Sequence, residues 1–233
     1  DIDNKSLTNR PDFWSHYGMA RELAAIYNVS LKNIIDEEFV QYLSLDEKPE
    51  YSIEIEDEDL CKRFVGIVAD NVEVKESPLE LKIALHNIGE NPINLLVDIS
   101  NYIMFSLGQP THFYDYTHVK NGLIIRRAKE GEKLITLGDE ELNLSPNNLV
   151  IADHEKVLGL AGIIGGKNDS ISPDTKKIVI EMANFNAINV RTTAQEYNQR
   201  TEASIRFEKQ IDPQRIDLSY TMLFTMLRKY YPE

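Results

Sequence analysis

The segment GQPTHFYDYTH, Gly108 to His118, sets His112 among aromatic residues directly after a turn-forming Gly-Gln-Pro. A histidine so placed is either a packed core residue or a group that orients or protonates a substrate. Single histidines are commonly satisfied in cores, so the residue type alone favours packing. Two further stretches could act with it. LAGIIGGKNDS, Leu160 to Ser170, is glycine-rich, yet Gly166 and Lys167 are followed by Asn168 rather than the Ser or Thr of a phosphate loop, and the run is not GxGxxG. Its glycines either make tight turns in a sheet or, at Gly162, Gly165 and Gly166, let a carbonyl, ribose or phosphate approach bare backbone N–H groups. Glu181, in KIVIEMANF, either points to solvent by strand alternation, the reading its residue type favours, or is buried with a specific partner.

Other chemistries find little support. The five histidines (His16, His86, His112, His118, His154) form no HExxH or similar ligand pair, so zinc is not expected. No GxSxG elbow is present, and a Ser-His-Asp set without that elbow stays open. Cys61 is the single cysteine and can form no internal disulfide, as suits a reducing cytosol.

Composition bounds the partners. The 233 residues are 42% apolar and 27% charged, ordinary for a soluble globular protein able to bury a sizeable core. No unbroken apolar run is long enough to span a membrane, and the polar opening DIDNKSLTNR is not a secretory signal. The net charge of −13 argues against wrapping a phosphate backbone. That charge is uneven: Asp36 to Asp59 holds eleven acids against one lysine, a solvated linker or face, so any nucleic-acid contact is expected to be local and away from it. The chain starts without Met and closes inside an apolar helical pattern, Leu218 to Tyr231, as expected of a piece of a longer protein.

These residues need elements to hold them. Arg10 to Tyr27 reads as an amphipathic helix with Pro11 at its start and Phe13, Tyr17, Ala20, Leu23, Ala24 and Tyr27 on one stripe. YSIEI reads as a strand, KRFVGIVADNVEV as a strand or bulged pair, PLELKIALHNIG as a helix stopped by Gly89, and NPINLLVDISNYIMFSLG as a helix stopped by Gly108. On the latter helix Asp98 and Asn101 suit a capping or packing role as well as a site. Short apolar runs (LIIRRA, EKLITL, NNLVIAD, VLGLAGIIGG, KIVIEM) follow, separated by turns such as Asn121-Gly122 and Gly138-Asp139. A helix around FNAINVRTTAQEY, a loop-and-strand segment RTEASIRFEKQI and a helix from Pro213 to about Tyr230 complete the chain. Strands and helices do not alternate, so the expected class is α+β.

Taken in order, the motifs resemble those of bacterial phenylalanyl-tRNA synthetase β subunits. DNKSLTNRPDFWSHYGMARELAA is similar to the family's TxNRPDxxSxxGxAREvAA, and NPINLLVDISNYIMFSLGQPTHFYD to RPINNVVDxTNYVMxExGQPLHAFD. VIADHEKVLGLAGIIGG is similar to VIAD…ALAGVMGG, IVIEMANFN to V.lE.A.F.P, and RTEASIRFEKQIDP to RTEASxRFERGVDP. The resemblance spans nearly the whole chain.

It implies a layered, β-sandwich-like B3/B4 module with flanking helices, over residues 60–212. Residues 1–59 would form the NRPD helix and an acidic connector, and 213–233 a helix leading to the parent's next domain. It implies cytoplasmic proofreading: hydrolysis of tyrosine wrongly esterified to the tRNA for phenylalanine. The expected partners are that tRNA's 3′ end and the synthetase α subunit in an α2β2 parent, with neither DNA nor membrane. No cofactor or metal is implied in this segment; ATP and Mg2+ belong to the parent enzyme's synthetic site. A pocket built for phenylalanine rejects an isostere with one added hydroxyl only about a hundredfold, which is why a second, inverted sieve is needed.

By resemblance the candidate catalytic residues are Glu181, sensing the tyrosine hydroxyl, and His112, orienting the aminoacyl ester. Asn101, Ala161, Gly162, Thr201 and Ala203 would bind substrate, and a terminal ribose hydroxyl of the tRNA would help activate water. The chain departs from the pattern at Asn91, where the family commonly has arginine. The competing expectations are a non-catalytic tRNA-binding or assembly module and a stand-alone B3/B4-like protein acting in trans.

Overall fold

KIVIEMANF forms the central strand β10 (Ile178–Phe185), and all eight residues of that strand are buried. The computed structural model describes residues 2, 4–34 and 51–231, so residues 36–50 of the acidic run lie outside the described residues. Antiparallel partners β2 (Cys61–Ala69) and β3 (Thr111–Asp115) flank β10 in a three-stranded sheet.

Both faces of this sheet are covered. From one face Tyr114, Val179, Ala183 and Phe185 pack into a core with Leu123, Ile125, Leu149, Ile151 and Leu158. Those residues belong to or follow a second sheet, ordered β1 (Ser52–Ile55), β4 (Gly122–Arg127), β7 (Leu149–Ala152), β8 (Val157–Leu160), β9 (Ile164–Gly165). Its β1–β4 pair is parallel and its other pairs antiparallel. A small ribbon, β5 (Lys133–Ile135) and β6 (Glu141–Asn143), adjoins it. From the other face Phe113, Ile178, Ile180 and Met182 pack against helices. These are α2 (Leu79–His86), α3 (Leu95–Leu107) and α6 (Arg215–Tyr230), which supply Leu85, Ile99, Ile103, Ile216 and Leu223. The architecture is therefore α+β, a two-sheet sandwich with a helical layer on one side, as expected. Burying each such leucine or isoleucine contributes about 2 kcal/mol, so a few of them offset the cost of a buried polar group.

The helix starts explain themselves locally. Asn94 caps α3 by accepting from the Val97 N–H, and Gly108 ends it at φ 78°, in the left-handed region that glycine adopts freely. Asp98 is fully buried; its carboxylate accepts from the Ser77 hydroxyl at 2.5 Å and the Ile93 N–H at 2.9 Å, so it anchors the helix start.

Two expectations are corrected. The Arg10–Tyr27 helix is two pieces: a 3-10 turn over Pro11–Trp14, then α1 (His16–Tyr27) capped by Ser15. Its stripe is only partly used, since Leu23 and Tyr27 are exposed. Of the two readings of KRFVGIVADNVEV the single strand holds, ending at Ala69. RTEASIRF is neither loop nor strand but helix α5 (Glu202–Phe207), begun by a capping box between Thr201 and Ser204. Ala203, Ile205 and Phe207 alternate with Ser204 and Arg206, which imitates a strand. Before it lies α4 (Ala187–Glu196), where a helix was expected, capped by Asn186.

Candidate functional site

A cavity of about 70 Å3 lies between the sheets where the β8–β9 turn meets α5. Its wall includes His112, Tyr114, Glu181, Gly162, Gly165 and Ala203. Register explains why these meet. Glu181 lies opposite His112 on β3 and opposite Gly66 on β2, so the three form a row across one sheet face. Tyr114 is two residues from His112 and shares that face.

Glu181 is only 7% exposed. The solvent reading of its residue type fails because β10 is covered on both sides, so alternation chooses between two cores rather than between core and water. Its Oε2 accepts the Tyr114 hydroxyl at 2.5 Å. Burial raises the carboxyl pKa to about 7, with the Tyr114 bond opposing the rise. The same burial and the neighbouring carboxylate push the Tyr114 phenol upward.

His112 packs edge-on against Tyr114, ring centroids 4.4 Å apart, and its buried Nε2 has no hydrogen-bond partner among the described residues. Desolvation lowers its pKa to about 4, so it is neutral at pH 7 and able to accept a hydrogen bond. The glycine run is the opposite wall. Gly165 has no Cβ because one would stand 2.4 Å from His112 Cε1. Gly162 turns the chain at φ 70°, and a Cβ there would lie 2.9 Å from both Phe185 and Phe207. Gly162 makes a tight turn, Gly162 and Gly165 line the cavity, and the Gly166 N–H is taken by the Leu158 carbonyl.

The expected site residues divide. His112, Glu181, Gly162 and Ala203 line the cavity. Thr201 does not; its hydroxyl donates to the Ile163 carbonyl at 2.8 Å and ties the start of α5 to the β8–β9 turn, which places Ala203. Ala161 is buried within that turn, and Asn101 lies on α3, both outside the lining. Asn91 is exposed and also outside it. Residue-by-residue reading missed Tyr114, Thr111 and Phe207, although Tyr114 carries a signal: two residues from His112 on a strand means the same face. Among the described residues no lysine or arginine lines the cavity. Among the described residues no three His, Cys, Asp or Glu side chains are grouped to hold a metal, and no helix is long and apolar enough to cross a membrane. The Cys61 thiol is buried and pushed up to about 12 by desolvation, which makes it unreactive.

The B3/4 domain family matches residues 60–232. The phenylalanine–tRNA ligase beta subunit of Solibacter usitatus is 44% identical across all of this chain, which covers 30% of that protein. Those of Aquifex aeolicus (43%, 95% of this chain, 28% of that protein) and Carboxydothermus hydrogenoformans (45%, 88% and 25%) are similar. The chain thus spans less than a third of the length of these curated relatives. A solved N-terminal fragment of the phenylalanyl-tRNA synthetase beta subunit from Pyrococcus horikoshii aligns with a TM-score of 0.47 at 17% identity, over 86% of this chain and 60% of that one.

Proposed function

The chain belongs to the B3/4 domain family, in the form found within phenylalanine–tRNA ligase beta subunits, and from that premise we propose that it serves tRNA aminoacylation as a proofreading module. Its cavity takes the tyrosyl ester at the 3′ end of the tRNA for phenylalanine and hydrolyses it with water, releasing tyrosine and free tRNA. Its partners are that tRNA and the α subunit of the parent synthetase, in the cytoplasm. ATP-dependent synthesis, with Mg2+, takes place elsewhere in the parent.

One observation carries this reading: a buried carboxylate, Glu181, facing a cavity whose other walls are largely apolar. A tyrosine side chain supplies a hydroxyl to that carboxylate, whereas a phenylalanine leaves it to be desolvated without gain, a difference of roughly 1 to 3 kcal/mol. The sign is the inverse of a phenylalanine-selective pocket, as a second sieve requires.

His112 positions rather than deprotonates. A base with a pKa of about 4 is a weak proton acceptor at pH 7, yet its unpartnered Nε2 can accept from a ribose or amino group and so fix the ester. The β8–β9 turn supplies backbone beside the carbonyl. An apolar cavity of about 150 Å3 holds a benzene ring, so a space of about 70 Å3 seats a phenol only with some displacement of its wall. Thr201 supports the wall through its bond to the Ile163 carbonyl, and Asn101 and Ala161 are further substrate-binding residues from outside the lining. The test is hydrolysis of Tyr-tRNA against Phe-tRNA by the full β-containing enzyme, with and without Glu181.

A further inference from the structure

Among the described residues the Tyr114 hydroxyl is the one donor to the Glu181 carboxylate, at 2.5 Å on Oε2. Tyr114 cannot readily leave. It is 1% exposed, lies within β3, and packs its ring against His112 and the inter-sheet core. Glu181 has Gly66 beside it on β2, so no side chain from that strand fixes the other oxygen, Oε1. A carboxylate has two acceptor oxygens, and one is already taken from inside the protein.

We propose that Tyr114 is a positioning residue for substrate selection: its hydroxyl pins Oε2 of Glu181, leaving Oε1 as the acceptor for a phenolic hydroxyl in the cavity. The chain's own phenol and the ligand's phenol then share one carboxylate. This rests on the proposed reading of the cavity as a hydroxyl sensor, although its first test needs no hydrolysis.

The arrangement has an electrostatic consequence. Burial drives Glu181 towards the protonated form, which would turn an acceptor into a donor; a hydrogen bond to the ionised form works against that. The titratable groups facing Glu181 are Tyr114 and His112 from β3 and Cys61 from β2. Tyr51 and Asp169 act on Tyr114, while the β8–β9 turn and α5 present only Gly, Ile, Leu, Ala203 and Phe207 to the cavity. None of these brings a cation, so among the described residues Tyr114 is the group that opposes the burial-driven protonation of Glu181.

The test is a titration of the Glu181 side-chain carboxyl by carbon-13 NMR in this chain, the resonance assigned by its loss in Glu181→Gln. Tyr114→Phe, which deletes one oxygen, is expected to raise the midpoint by about one pH unit or more. An unchanged midpoint overturns the proposal. Should Tyr114→Phe not fold, Glu181→Gln gives the reciprocal reading through the Tyr114 ring carbon bonded to oxygen. Its raised pKa falls towards the ordinary tyrosine value if the pair exists, and staying put overturns the proposal. In the full β-containing enzyme, the pH at which hydrolysis favours Tyr-tRNA over Phe-tRNA should move upward with the Glu181 midpoint. Selectivity that ignores the shifted midpoint also overturns it. A wild-type enzyme that hydrolyses neither ester defeats the proofreading reading instead, while the NMR midpoint decides the Tyr114–Glu181 coupling separately.

Discussion

Glu181 and His112 are paired directly across the β10–β3 ladder, and the same burial moves them in opposite directions, the carboxyl up to about 7 and the imidazole down to about 4. At pH 7 the site therefore combines a neutral imidazole with a carboxyl near its midpoint. Among the described residues no cation compensates the row, and burial disfavours the charged form of both groups.

That relationship fixes a pH dependence of stability. Glu181 has a folded pKa above its ordinary 4.5, so its contribution is present below pH 4.5 and lost as pH rises through 7. His112 has a folded pKa below its ordinary 6.5, so its contribution is present above pH 6.5 and lost as pH falls through 4. The two slopes oppose each other between these limits. Glu181→Gln should leave a chain that loses stability on acidification, and His112→Asn one that gains it, by up to about 3 kcal/mol each. Urea unfolding at a series of pH values reads both slopes.

The wall makes a second prediction. Gly165→Ala should destabilise by about 1 to 3 kcal/mol because its Cβ meets the His112 ring. Adding His112→Ala should recover part of that loss, since the clash is with one side chain. A double-mutant cycle by thermal unfolding gives the coupling, and strict additivity would refute the contact. Gly162→Ala should not be rescued this way, because its φ of 70° adds backbone strain.

Asp98 is a structural residue in this account. Asp98→Ala leaves the Ser77 hydroxyl and the Ile93 N–H without their acceptor, and should lower stability by roughly 2 to 4 kcal/mol. The selectivity between tyrosyl and phenylalanyl esters should be unchanged wherever the variant is folded. Chemical denaturation together with a deacylation ratio separates the two effects.

Cys61 offers a simple probe of the sandwich. Its buried thiol, pushed up to about 12, should resist alkylation at pH 8 in the native chain and react once the chain is unfolded. Rapid native labelling would mean that the edge of β2 opens.

The sequence carried the element order well because α3, β10 and α6 are long and strongly patterned. It failed at RTEASIRF, where Ala203, Ile205 and Phe207 alternate as in a strand; the Thr201–Ser204 capping box was the opposing signal. It failed on Glu181 because alternation assumes a wet face, and β10 has none. The resemblance to known motifs named Glu181 and His112 separately, and both line the cavity. It also named Asn101, Ala161 and Thr201 as substrate-binding residues, and none of the three lines the cavity. Tyr114 was hidden for a different reason. Its importance depends on the β3–β10 register, a non-local pairing that no window of the chain contains.

The most direct test of the account is the ratio of Tyr-tRNA to Phe-tRNA hydrolysis by the full β-containing enzyme at neutral pH, wild type against Glu181→Gln and Glu181→Ala. The account predicts that the wild type hydrolyses the tyrosyl ester preferentially and that both variants lose about tenfold or more of that preference. A preference that survives both substitutions, or a wild type that leaves the tyrosyl ester intact, would contradict it.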